Sequence, residues 1–153
     1  MKTILTPVDF STTTQDVISE TIALAGPLGA HVLLLHSLQP PMITTEYGIG
    51  IEVLQETLAI NEKVAVRQLN HLQASLATKG ISAETLLVNG LAEANILEQA
   101  RKHKVDYIIL GSHGHTALYD LLVGSTTHAV LKKTSCPVIV VPSPRKKKPA
   151  KKR

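Results

Sequence analysis

VDYIILGSHGHTALYDLLVGSTTHAVLKK, residues 105–133, reads as three things in succession. VDYIIL is a short apolar run with the character of a buried strand. A loop follows that holds three of the chain's nine glycines, Gly111, Gly114 and Gly124. Ser125-Thr126-Thr127 then opens a short helix, expected from about Ser125 to Lys133. A strand that empties into a glycine-rich loop and arrives at a helix N-terminus is the repeating unit of a parallel α/β sheet. The first N–H groups of such a helix lack intrahelical partners and carry partial positive charge, which suits phosphate. The N–H groups of Gly124, Ser125, Thr126 and Thr127 are therefore expected to face a crevice, with the Ser and Thr hydroxyls as further donors. The plainer alternative is that Gly111 and Gly114 only make a turn and Gly124 only starts a helix. The loop has no Gly-Lys-Ser/Thr and no GxGxxG, so it is neither a Walker loop nor the dinucleotide fingerprint.

Working outward, the same alternation covers the chain. TILTPVDF is a first strand ending at Asp9. Thr12 and Gln15 stand at capping-box spacing ahead of a helix carrying Ile18, Ile22 and Ala25, perturbed at Gly26-Pro27 and closed by Gly29. HVLLLHSL is a second strand, apolar on both faces. Residues 40–50 form a loop. Leu54, Leu58, Ala65, Leu69, Leu72 and Leu76 mark one face of a long helix, with a missed turn at Asn61. ISAETLLVNG is a third strand. AEANILEQARKHK is a helix with Ile96, Leu97 and Ala100 inward and basic residues where the dipole favours them. CPVIVVP is the fifth strand. The predicted fold is a single α/β domain with helices on both faces of an open parallel sheet.

The 153 residues suit one domain with a real core. The single cysteine, Cys136, allows no internal disulfide and no Cys-based zinc site, and reads as a packed thiol ahead of Pro137. The N-terminus lacks signal-peptide character, and no apolar run approaches the ~20 residues of a membrane span, so a cytoplasmic protein is expected. The formal charge of +4 is misleading, because the last eleven residues hold seven of the sixteen Lys and Arg. The body, residues 1–142, is mildly acidic. Residues 143–153 read as a disordered basic tail able to attract anionic partners, or merely to solubilise. Aromatics are too scarce for a single-strand nucleic-acid platform.

Gly-x2-Gly-x9-Gly-Ser after the fourth strand, closed by CPVIVVP, resembles the universal stress protein family, in the branch that binds ATP. TPVDFS and VNGLAEANILEQARKHKVDYIILGSHG resemble its first strand and its third strand, helix and fourth strand. The likeness covers roughly residues 2–142. It implies a Rossmann-like five-stranded sheet in the order 3-2-1-4-5, with the first and fourth strands flanking a nucleotide crevice. It implies that Asp9 contacts ribose, that Pro7 and Val8 line the pocket, and that Ser37 offers backbone to adenine. Gly111, His113, Gly114, Gly124, Ser125 and Thr126 then surround ribose and phosphates. Family members often carry Arg at the position of His115 and another basic residue near Asp120. Their replacement here weakens the charge support for a triphosphate and leaves a mono- or diphosphate preference open.

Each residue also has a simpler reading. Asp9 can cap the first helix, Ser125 can be an N-cap, and His113 and His115 can be exposed loop residues. His36, in an apolar strand, reads as a structural histidine beside the crevice. Tyr47, in the loop at 40–50, is either a nucleotide contact or solvated. The resemblance also implies a homodimer through the last strand, Val138, Ile139, Val140 and Val141, which would cover an apolar sheet edge. The functions compared are a stress-response regulatory module binding ATP, ADP or AMP, with or without Mg²⁺; a dimeric adaptor of the same fold without nucleotide; and a slow ATPase. The last ranks lowest, because the sequence supplies no clear base or cation for hydrolysis.

Overall fold

The computed structural model describes residues 1–40, 50–113 and 123–143. Gly114, His115, Asp120, Tyr47 and the basic run after residue 143 lie outside the described residues. Nine elements alternate in chain order: β1 Thr3–Pro7, α1 Thr14–Leu28, β2 His31–Leu38, α2 Ile51–Ala77, β3 Ala83–Asn89, α3 Ala92–Lys102, β4 Tyr107–Gly111, α4 Ser125–Lys133 and β5 Val138–Val141. All strand pairings are parallel, in the order β3-β2-β1-β4-β5. β1 and β4 therefore meet where the chain direction across the sheet reverses.

The strand period of two sorts the core into two layers. Ile4, Val32, Leu34 and Ile109 pack with Val17 and Ile18 of α1 and Leu69, Leu72 and Leu76 of α2. Their neighbours Leu5, Leu33, Leu35, Ile108 and Leu110 face the other way, onto Ile96 and Ala100 of α3 and Val130 of α4. Two helices thus cover each face, as the apolar β2 run requires.

Three local expectations need correction. α1 does not begin with a capping box: its N-cap is Thr13, which makes no side-chain cap bond. The chain instead leaves β1 through Phe10, at φ 60, and the Ser11 N–H donates to Asp9 Oδ1 (3.0 Å) while Thr14 N–H donates to Ser11 O. At its other end α1 runs through Gly26-Pro27 and stops at Gly29, whose φ of 57 is left-handed and favours glycine. α2 is continuous through Asn61, but its burial begins only at Ala65; Leu58 is exposed and Leu54 half-buried. In α3 Leu97 is only half-buried, and the inward face includes two polar residues, Asn95 and Gln99, instead.

One buried polar pair fixes α1 on the sheet. Thr6 and Thr21 are both fully buried, with their hydroxyls 3.1 Å apart. Thr21 Oγ1 donates to Val17 O (2.8 Å), so its proton is committed and Thr6 must be the donor between the two. Thr21→Val is expected to orphan the Thr6 hydroxyl and cost about 1–3 kcal/mol. Thr6→Val leaves Thr21 bonded and should cost less, and the double Thr6→Val/Thr21→Val should recover part of the Thr21→Val loss. Urea unfolding of the three variants checks this; equal single-variant costs would refute the assigned donor.

At the opposite end of the strands, Lys2 Nζ lies 2.7 Å from Asp106, which also accepts the Thr3 N–H. The Lys2 hydrogen bond, then the Thr3 N–H, hold the Asp106 carboxyl below the usual carboxylate range. The contribution of that bond is present above the ordinary carboxylate pKa and fades as pH falls through the depressed value. Burial, then the charge of Asp106, pushes the Cys136 thiol up, which agrees with a packed thiol that stays protonated.

Candidate functional site

A cavity of about 410 Å³ opens at the carboxyl ends of β1 and β4. Nine of the ten residues singled out from the sequence line it: Pro7, Val8 and Asp9 after β1, Ser37 at the end of β2, Gly111 and His113 after β4, and Gly124, Ser125 and Thr126 at the start of α4. The tenth, Gly114, lies outside the described residues.

The cavity has an open backbone edge on β2. Alternate residues of a strand turn their N–H and C=O to opposite neighbours. His31 N–H donates to Lys2 O and Leu35 O accepts from Val8 N–H, both on the β1 side. Val32 N–H donates to Ser82 O and Leu38 O accepts from Gly90 N–H, both on the β3 side. Ser37 shares the parity of Leu35, so its N–H and C=O face the β1 side. The β1–β2 register ends at Pro7 and Leu35. The Ser37 backbone therefore borders the notch that β1 leaves, offering one donor and one acceptor there.

The helix end differs from expectation in a specific way. Gly124, not Ser125, is the N-cap, and its N–H donates to Ser112 O at 2.6 Å. That N–H is spent on the chain itself. The first intrahelical bond is His128 N–H to Gly124 O (2.9 Å), so the N–H groups of Ser125, Thr126 and Thr127 precede the helical ladder. The Thr127 hydroxyl is also committed, to Gly111 O at 2.8 Å. This bond ties the α4 start to the end of β4 and holds the two sides of the loop together.

The two described glycines have different reasons. A Cβ on Gly111 would lie 3.1 Å from Thr13 Cγ2, tighter than ordinary contact, so glycine lets β4 pack closely against the start of α1. Gly124 has φ −71 and ψ 167, extended backbone open to any residue, and a Cβ would meet only ordinary contacts. What glycine provides at 124 is space in the cavity wall.

His36 is the structural histidine beside the crevice that the sequence suggested, whereas Asn95 was missed. His36 Nδ1 lies 2.8 Å from Val8 O, and since a carbonyl only accepts, Nδ1 carries the proton. In the neutral ring Nε2 is then an acceptor, and His36 forms part of the cavity wall. The Phe10 ring lies 4.4 Å from the His36 ring, so the left-handed turn at Phe10 and the imidazole support each other. Asn95, 6% exposed, donates to Ser37 Oγ (3.0 Å) and to Asn89 O (3.2 Å), with a longer contact to Val88 O (3.4 Å). It joins α3 to the ends of both β2 and β3. The available signal was an amide on the stripe that also carries Ile96 and Ala100. His113 lies at the crevice with Nδ1 3.1 Å from Ser112 Oγ. Among the described residues no three His, Cys, Asp or Glu side chains are grouped to hold a metal, and no helix is long and apolar enough to cross a membrane.

The model of the universal stress protein family matches residues 1–142. The chain belongs to that family. Universal stress protein MJ0577 of Methanocaldococcus jannaschii is 30% identical over 152 residues, covering 92% of this chain and 94% of that one. The solved structure of MJ0577 superposes with a TM-score of 0.83 at 31% identity, over 95% of this chain and 98% of that one. UspA from Lactobacillus plantarum gives a TM-score of 0.81 at 28% identity, over 92% and 97%. The universal stress protein of Archaeoglobus fulgidus, solved in complex with dAMP, shares the fold at 22% identity and TM-score 0.65, over 92% of this chain and 98% of that one. The expected strand order 3-2-1-4-5 is the order found.

Proposed function

We propose that this universal stress protein is a regulatory module that binds an adenine nucleotide in the crevice between β1 and β4. The observation that carries the reading is the convergence in one cavity of three unlike features: the Asp9 carboxylate, the open Ser37 backbone edge and the N-terminus of α4. Each suits a different part of one ligand. A carboxylate accepts from two ribose hydroxyls, a backbone donor–acceptor pair matches an adenine edge, and helix N–H groups suit phosphate. The dAMP complex of the Archaeoglobus fulgidus protein supports an adenine nucleotide as the ligand class.

No Lys or Arg of the described residues lines the cavity. Phosphate is then held by the N–H groups of Ser125, Thr126 and Thr127, by hydroxyls and by His113, which favours fewer phosphates over more. Mg²⁺ would arrive on the phosphates of a di- or triphosphate, where it would neutralise charge, with Asp9 as the nearest carboxylate in the wall. Hydrolysis needs charge stabilisation that the described residues of this wall do not supply, so a slow ATPase ranks below a sensor. Calorimetric titration of nucleotide-free protein with ATP, ADP and AMP, with and without Mg²⁺, tests the reading, and product analysis over hours tests hydrolysis. Binding with AMP or ADP at least as tight as ATP is the expected result. No heat and no shift in Tm with any of them would leave the adaptor reading in its place.

The same proposal includes a homodimer. β5 is a sheet edge whose Val138, Ile139 and Val140 are half-buried, and pairing with a second copy would satisfy its open N–H and C=O groups. The basic residues 145–153 add attraction to anionic partners. Sedimentation equilibrium tests the dimer, and a monomer at tens of micromolar would refute it.

A further inference from the structure

The first half of α2 carries a second apolar stripe that the core does not use. The buried stripe of this helix is Ala65, Leu69, Leu72 and Leu76. One residue out of step with it, and so turned about 100° around the helix, run Val53, Thr57, Ile60 and Val64. Their steps of four, three and four are those of a coiled-coil seam. Val53 is 54% exposed, Ile60 60% and Val64 47%, so no described element covers the seam. Thr57 suits an apolar seam, because its hydroxyl already donates to Val53 O (2.9 Å) within the helix.

The charges beside the seam say which partner fits it. Glu56 and Lys63 each immediately precede a seam residue, Thr57 and Val64, so they stand on the same edge of it. Both are exposed, and among the described residues neither forms an ion pair. Let two copies of this helix pair antiparallel about a two-fold axis between Thr57 and Ile60. Val53 then meets Val64 of the second copy, and Thr57 meets its Ile60. The same axis brings Glu56 beside Lys63 of the second copy and Lys63 beside its Glu56. Each surface supplies the charge opposite to the one it faces, which is the self-complementarity a two-fold contact requires. Parallel pairing would instead set Glu56 toward Asn61 and Lys63 toward Gln68, and lose both ion pairs.

We infer that this face of α2 is an interface between two copies of the chain, formed by antiparallel pairing of α2 with α2. Residues 53–64 span about 18 Å, so the contact is short and its assembly depends on concentration. α2 lies over the β3 side of the sheet, where Gln73 donates to Ala83 O, and β5 is the opposite edge. The contact is therefore separate from pairing through β5, and adds one step of assembly to whatever β5 provides.

The test is sedimentation equilibrium of the full chain, up to about 1 mM, in wild type, Ile60→Glu, Lys63→Glu and Glu56→Lys/Lys63→Glu. Positions 56, 60 and 63 are exposed within the helix, so the variants are expected to fold. The wild type should reach twice the mass of Ile60→Glu, in which both copies bring a charge into the seam and association weakens about 100-fold or more. Lys63→Glu turns two attractive contacts into repulsive ones and should weaken association about ten-fold. The double exchange restores both pairs with their signs reversed, and should return association to within about two-fold of wild type. A dimer through β5 would be unchanged in all three variants, so its presence or absence does not mask the result. Equal masses for wild type and Ile60→Glu at every concentration overturn the inference and leave the seam to a different partner. A double exchange no tighter than Lys63→Glu overturns it as well.

Discussion

Gly124→Val is expected to lower adenine-nucleotide affinity by about 100-fold or more while leaving the fold intact. The backbone at 124, φ −71 and ψ 167, is one that β-branched residues readily adopt. A Cβ there would sit 3.4 Å from Ser112 O and 3.6 Å from His113 Cα, ordinary contact distances. Valine is a poorer N-cap than glycine, which offsets the lower entropy of the unfolded chain, so Tm should fall by only a few degrees at most. The two γ-methyls have a different effect. They would take up space in the cavity wall at the residue that immediately precedes the N–H groups of Ser125 and Thr126. A hydrogen bond to a charged group is worth roughly 1.5–3 kcal/mol, and losing two exceeds the roughly 2.8 kcal/mol that a hundred-fold change represents. Calorimetry with AMP and thermal unfolding, run together, decide the matter. Wild-type affinity in a folded variant would mean that the nucleotide phosphate does not sit at α4. Gly111→Ala makes the contrast. Its Cβ would press on Thr13 Cγ2 at 3.1 Å, so that variant should lose stability, and any loss of binding would follow from displaced packing.

The sheet was legible because its signals are local and repeated. HVLLLHSL is apolar at both parities, and both parities prove buried, Val32 and Leu34 on one face and Leu33 and Leu35 on the other. The end of α1 at Gly29 and the start of α4 at Ser125 follow from turn chemistry within a few residues. What escaped depends on partners distant in the chain. The periodicity of Leu54 and Leu58 identifies a helical face, but nothing in it says whether another element covers that face; cover begins only at Ala65. The expected phosphate donors included Gly124 N–H, and only the closeness of Ser112 O shows that this group is occupied. The capping box at Thr12 failed because Asp9, after β1, had already organised the turn through Ser11 N–H.

Asn95→Asp is expected to cost about 3 kcal/mol at neutral pH and to weaken nucleotide binding as a consequence. The amide NH₂ of Asn95 faces three oxygens, Ser37 Oγ, Asn89 O and Val88 O, two of which are carbonyls that only accept. A carboxylate of the same shape offers no donor to them. It loses the bonds, leaves carbonyls unpaired and places a charge at a position 6% exposed, each a recognised source of roughly 1–3 kcal/mol. The pH dependence has a definite sign. Burial and the facing oxygens favour the protonated acid in the folded state, raising its folded pKa above the unfolded value of about 3.9. Relative to wild type, the variant is therefore least destabilised below that value and loses stability as pH rises through the raised pKa. Thermal unfolding of both proteins from pH 4 to pH 8 measures this, and a pH-independent difference would refute the burial argument. The effect on binding follows from position. Asn95 holds the Ser37 hydroxyl, and the same residue presents the open backbone edge of the crevice. Releasing the end of β2 lets that donor–acceptor pair drift from the geometry a planar base requires, and a 1 Å misplacement is costly to recognition. AMP affinity should fall in Asn95→Asp although the substituted atoms line no part of the cavity. Unchanged affinity in the destabilised variant would separate the Ser37 edge from the ligand and move the base elsewhere in the crevice.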